Sequence, residues 1–241
     1  MAPKKLLIAV MLDEVQLSDI IGIDILGNLS TTYLADVTTM DPSFGAAFSS
    51  HAVDMELLFL SETLEPTRMT PGIKYLPTTT YDDCPRDLDI VLTGGPLLTH
   101  RPAAAAKFVR EAWPRTRVWM TTCVGSMWLA DVGVLEGHKA TTNRAFLEGA
   151  KKMAPGVEWL DQRWVVSDKV FERGSDGEKG ELWTSGAAGA GIDMIAQYCL
   201  KNWDETFVRA MALDGLDFSP EGSHGQFYAT ASYGAHAVNA E

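Results

Sequence analysis

A cysteine, an aspartate and a pair of glycines are the residues of this chain whose setting points to chemistry. Cys123 stands in Val-Trp-Met-Thr-Thr-Cys-Val-Gly-Ser-Met-Trp-Leu-Ala, residues 118–130, between an apolar run that reads as a strand and one that reads as a helix. A thiol at such a junction is carried on a tight turn at the sheet edge, where the first amides of the helix are expected to lower its pKa and stabilise an anion. That makes Cys123 a candidate nucleophile. The bland alternative is a small buried thiol, the usual fate of a free cysteine, but such a thiol normally falls within an apolar run rather than between Thr121-Thr122 and Val124-Gly125-Ser126. Asp19, in the first turn of the helix that follows the first strand, could handle protons or could simply favour the helix dipole. Gly94-Gly95-Pro96 could offer amides unobstructed by side chains or could be a tight turn.

These residues meet only if the elements that carry them form a sheet with its loops gathered at one edge. Strands are predicted at Leu6 to Leu12, Tyr33 to Met40, Asp89 to Thr93, Arg117 to Thr121, Arg163 to Val166 and Glu181 to Thr184. Most are continuous apolar runs, the pattern of strands buried on both faces. Helical spacing links Ile21, Ile25 and Leu29, and recurs over Ala103 to Trp113, Gly125 to Val132, Arg144 to Met153 and Ala187 to Asn202. Strands alternating with helices predict a mostly parallel sheet covered on both sides. Ligands bind beyond the carboxyl ends of such strands, which is where Asp19, Gly94-Gly95 and Cys123 all fall. Residues 46–77 fit the alternation least and read as a hairpin or surface excursion; 174–180 reads as a hairpin tip. One domain over 1–241 is expected, with the tail after Asp214 packing late or serving an oligomer contact.

The bulk properties narrow the function classes. A net charge of −12 disfavours nucleic acid, whose affinity is built on Lys and Arg against phosphates. Three cysteines, Cys84, Cys123 and Cys199, form no C-x-x-C pair and no metal-ligand spacing, so neither a disulfide scaffold nor a metal site is expected. Only seven apolar residues, Leu6 to Leu12, follow the N-terminal lysines before Asp13, too few for a membrane span. A cytoplasmic protein acting on a small molecule, without membrane or nucleic-acid partners, is the expectation. Gly186 to Gly191 lacks the G-x-G-x-x-G order and is read as a packing contact.

Taken in order along the chain, Gln16-Leu17-Ser18-Asp19-Ile20-Ile21-Gly22, Tyr81-Asp82-Asp83, Asp89 to Gly95, Thr122-Cys123-Val124-Gly125-Ser126, Gly133 to Asn143 and Thr184-Ser185-Gly186 with Gly191-Ile192-Asp193 resemble the ThiJ/PfpI superfamily. The resemblance implies a flavodoxin-like three-layer α/β/α sandwich with a cysteine on a nucleophile elbow. With aspartate at position 19 rather than glutamate, the chain is most similar to the isonitrile hydratase branch. The resemblance then implies Cys123 as nucleophile, Asp19 as acid/base with a raised pKa, amides at Gly94, Gly95 and Val124 for anion or substrate binding, a homodimer, and no cofactor. Val124 stands where threonine is common, and Asn143 where histidine is frequent; Asn143 can orient a ligand but cannot act as a base. The alternatives are a cofactor-independent glyoxalase or deglycase of small α-ketoaldehydes, and a non-enzymatic redox-responsive or chaperone-like protein, linked to oxidative stress, in which Cys123 oxidises reversibly.

Overall fold

The computed structural model describes residues 5–174, 178–220 and 225–228. Its strands, in chain order, are β1 (Leu6–Met11), β2 (Met55–Ser61), β3 (Thr67–Arg68), β4 (Lys74–Tyr75), β5 (Thr79–Thr80), β6 (Ile90–Thr93), β7 (Val118–Thr121), β8 (Lys139–Ala140), β9 (Glu158–Trp159), β10 (Trp164–Lys169) and β11 (Gly180–Ser185). The helices are α1 (Gly22–Gly27), α2 (Thr31–Met40), α3 (Pro42–Phe48), α4 (Ala103–Ala112), α5 (Gly125–Val132), α6 (Leu147–Met153), α7 (Ala188–Asn202) and α8 (Glu205–Val208).

Seven strands form one sheet in the order β10-β11-β7-β6-β1-β2-β5. Every pairing in it is parallel except that of β10 with β11. Alternate residues of the central strands supply two separate cores. Ile8, Val10, Ile90, Leu92, Val118 and Met120 face α1 and α7, whereas Ala9, Met11, Val91 and Trp119 face α4 and α5. A strand buried on both faces has no polar side to show, which is why β6 and β7 are apolar nearly throughout. The result is a three-layer α/β/α sandwich, as the sequence implied.

Two elements differ from expectation. Tyr33 to Met40, expected as a strand, lies in α2. Ser30 caps this helix by accepting from the Tyr33 amide at 3.0 Å, and Thr38 returns its hydroxyl to the Leu34 carbonyl at 2.6 Å. The β-branched residues that favoured a strand are thus accommodated on a mostly exposed helix that buries Leu34 alone. The stretch 46–77 is not only an excursion. Its Met-Glu-Leu-Leu-Phe-Leu-Ser becomes β2, in parallel register with β1, and only the following β3–β4 pair is a hairpin. The tip at 174–180 and the tail after Asp214 fall partly outside the described residues.

Candidate active site

β6 and β7 end in register, Thr93 beside Thr121, so the loops leaving them start side by side. After β7 the chain must reverse into α5 within a few residues, and Cys123 absorbs the turn by adopting a left-handed backbone, φ 53°. For a residue with a Cβ that conformation is strained and persists only where the surroundings impose it. Thr122 and Cys123 are held in place by hydroxyl and amide contacts: the Thr122 amide donates to the Thr93 carbonyl at 3.1 Å, and the Thr142 hydroxyl to the Cys123 carbonyl at 3.1 Å.

Asp19 arrives from the other side. It closes a single 3-10 turn, Leu17–Asp19, ahead of α1 rather than lying in that helix, and is 2% exposed. Gly95 separates it from the thiol: a Cβ at that glycine would come within 2.8 Å of Asp19 Oδ2 and 2.9 Å of the Cys123 Cβ. Only a residue without a side chain lets the carboxyl and the cysteine approach from opposite sides. The Gly95 amide, expected to face an anion on the substrate, instead donates to Asp19 Oδ2 at 3.3 Å. Gly94 does not line the cavity; the side on which a Cβ would stand is filled by Val15 and Ile20.

Burial pushes the Asp19 carboxyl up to about 6, opposed only by that one amide. The expected depression of the thiol pKa does not hold. Burial, and then the negative charge of Asp19, push Cys123 up; the Asn143 amide and the Val124 backbone amide pull it down. The amides at the start of α5 do act in the direction expected, but desolvation and a neighbouring carboxylate outweigh them. Asn143 is itself oriented. Its Oδ1 accepts from the Ala145 amide at 3.0 Å, which leaves Nδ2 to donate to the Cys123 sulfur at 3.4 Å.

Cys123 and Asp19 open into a cavity of about 300 Å³ whose other walls include Gln16, Thr70, Pro96, Leu97, Leu98 and Phe146. Of the expected site residues, Cys123, Asp19, Gly95, Val124 and Asn143 are therefore brought together, and Gly94 is not. Several walls were missed. Leu97 and Leu98 directly follow the Gly-Gly-Pro turn and Phe146 lies one turn after Asn143, so their spacing was a usable signal. Thr70 comes from the β3–β4 hairpin, pinned through its hydroxyl to the Glu14 carbonyl at 2.8 Å, and nothing local marks it. Among the described residues no group of three His, Cys, Asp or Glu side chains could hold a metal ion, and no helix is long and apolar enough to cross a membrane.

A stretch of 145 residues is 29% identical to isonitrile hydratase of Pseudomonas putida. The match covers 58% of this chain and 56% of that protein, so the chain spans little more than half the length of this relative. A ThiJ/PfpI family protein from Pseudomonas syringae shares the fold with a TM-score of 0.67 at 19% identity, over 94% of this chain and 83% of the other. Drosophila melanogaster DJ-1beta does so at 0.60 and 16% identity, over 90% and 100%. The DJ-1/PfpI family pattern itself runs through residues 31–198, from α2 through the elbow and well into α7, and the chain belongs to the DJ-1/PfpI family.

Proposed function

We propose that this chain hydrates an isonitrile to an N-substituted formamide, with Cys123 as nucleophile and Asp19 as the group that moves protons. The observation that carries this reading is the pairing across Gly95 of a thiol with a buried carboxyl lifted to about 6, with no histidine among the described residues that line the cavity. Passing the thiol proton to Asp19 leaves a thiolate beside a neutral acid and removes the like-charge repulsion that holds the thiol up. The thiolate sulfur bonds to the terminal isonitrile carbon while Asp19 returns the proton to that carbon, giving a thioimidate. Asp19, now a carboxylate, takes a proton from water as the water oxygen adds to the same carbon and passes that proton to the nitrogen; it then takes the hydroxyl proton of the adduct as the carbonyl forms and the carbon–sulfur bond breaks, so that the formamide leaves with the thiolate and the neutral Asp19 both regenerated. The Val124 amide and Asn143 Nδ2 hold negative charge on sulfur. The 29% identity to the Pseudomonas putida enzyme supports the same reading.

The test is formamide formation from phenyl isonitrile by the wild type, Cys123→Ala and Asp19→Asn, each confirmed folded by circular dichroism. Turnover is expected in the wild type alone, with losses of at least about a thousandfold in both variants. The competent form holds one proton on the pair, so kcat/KM should rise with pH through about 6 and fall only above the ordinary thiol range. Folded, reduced wild type without turnover would defeat the proposal, and methylglyoxal would then be the substrate to try.

A further inference from the structure

Thr122 immediately precedes the nucleophile, yet its side chain points away from the cavity. Its hydroxyl donates to the backbone carbonyl of Asp19 at 2.6 Å, across a sequence separation of 103 residues. The residue is 1% exposed, so this bond does not exchange with bulk water. Its methyl is fixed as well. Gly191, in the first turn of α7, lies so close that a Cβ there would come within 2.5 Å of Thr122 Cγ2. With the methyl seated against α7 and the backbone amide bound to the Thr93 carbonyl, the hydroxyl has one direction left, toward the turn that bears Asp19.

Asp19 needs such a tether. Its turn has no side-chain cap, and its carboxyl makes one long contact, to Gly95 at 3.3 Å. A desolvated carboxylate gains free energy by swinging toward water, so something other than its own hydrogen bonds must keep it beside the sulfur. We infer that Thr122 is a positioning residue that locks the Asp19 turn to the nucleophile elbow, so that acid and thiol move as one unit. The assignment rests on the proposed pairing of Cys123 with Asp19. Cys123 is the titratable group coupled by charge to Asp19, and the pairing can be read without any isonitrile.

Iodoacetamide serves as the probe: the Cys123 thiolate displaces iodide and forms a carbon–sulfur bond, and peptide mass analysis separates it from the buried Cys84 and Cys199. Alkylation rate against pH is measured for wild type, Thr122→Val, Thr122→Ser, Asp19→Asn and the Thr122→Val/Asp19→Asn double variant. Thr122→Val keeps the shape and loses the hydroxyl; it should shift the alkylation profile by about one pH unit as the carboxylate leaves the sulfur, and lower isonitrile turnover about tenfold or more. Thr122→Ser should restore both. In the Asp19→Asn background the valine substitution should leave the alkylation profile unmoved, because no charge remains to be displaced. An equal shift in both backgrounds, or no shift in either, overturns the inference. Should the valine protein not fold, Thr122→Ala carries the same cycle. A wild type inactive on isonitriles that still shows the background-dependent shift sinks the hydratase and leaves the tether standing.

Discussion

Asp13 and Asp19 both follow β1, and each is 2% exposed, but the structure treats them in opposite ways. Asp13 accepts a hydroxyl on each oxygen, from Tyr75 at 2.9 Å and from Tyr81 at 2.8 Å. Asp19 has the single amide of Gly95 at 3.3 Å. Burial is the same and partners differ, so burial alone does not mark a reactive carboxyl. A third aspartate, Asp193, is equally buried and is neutralised by Arg163. Asp19 is the one that lines the cavity beside Cys123, and it is the one supplied with least compensation, the setting that suits a group that gives and takes a proton.

The contrast can be broken most forcefully at Asp13. Asp13→Ala strands the buried Tyr81 hydroxyl and leaves that of half-buried Tyr75 only the Leu60 carbonyl at 3.0 Å, and should cost about 3 kcal/mol in urea unfolding, loosening the β3–β4 hairpin that presents Thr70. A loss under about 1 kcal/mol would show that the tyrosines hold that region without the carboxylate. Asp19→Asn should act with the opposite sign. Its carboxyl is about 6 folded against 3.8 ordinarily, so what it contributes to stability is present in full below 3.8 and lost as the pH rises through about 6. At pH 8 the ionised group is a net burden of about 3 kcal/mol. The asparagine variant should therefore be more stable than wild type by about 2 kcal/mol at pH 8, a gain that shrinks toward pH 4. Equal stability at both pH values would mean that Asp19 is solvated and not poised. The smallest effect is expected at Tyr75→Phe, which removes one of the two donors and leaves Tyr81 in place: about 1 kcal/mol by the same measurement, with isonitrile turnover unchanged. A fall in turnover there would join the Asp13 cluster to the chemistry and blur the distinction between the two aspartates.

Much of the frame was legible. The runs that became β1, β6 and β7 are apolar because both faces of the sheet are covered, and that leaves a mark in any window of a few residues. Cys123 was legible for a related reason, since a strand-to-helix junction shows itself in the residues on either side. α2 was misread because Val37, Thr38 and Thr39 carry a strand preference that a Ser30 cap and threonine hydroxyls returned to the backbone can override. β2 was passed over because its one polar-flanked run sits beside Thr, Pro and Glu that belong to a hairpin next to it.

By itself, then, the sequence determined a doubly covered parallel sheet and a cysteine lifted at its edge, because hydrophobic period and junction position are local properties. Only the tertiary structure decided which aspartate would be left nearly uncompensated, that the thiol would be pushed up rather than down, and that Gly95 would aim its amide at a carboxyl instead of a substrate. The hydrogen bonds that make those choices span 62 residues between Asp13 and Tyr75, 76 between Asp19 and Gly95, and 103 between Asp19 and Thr122. Partners so distant are joined by the packing of the whole sheet, and charge and solvation at a site follow from who its neighbours are in space.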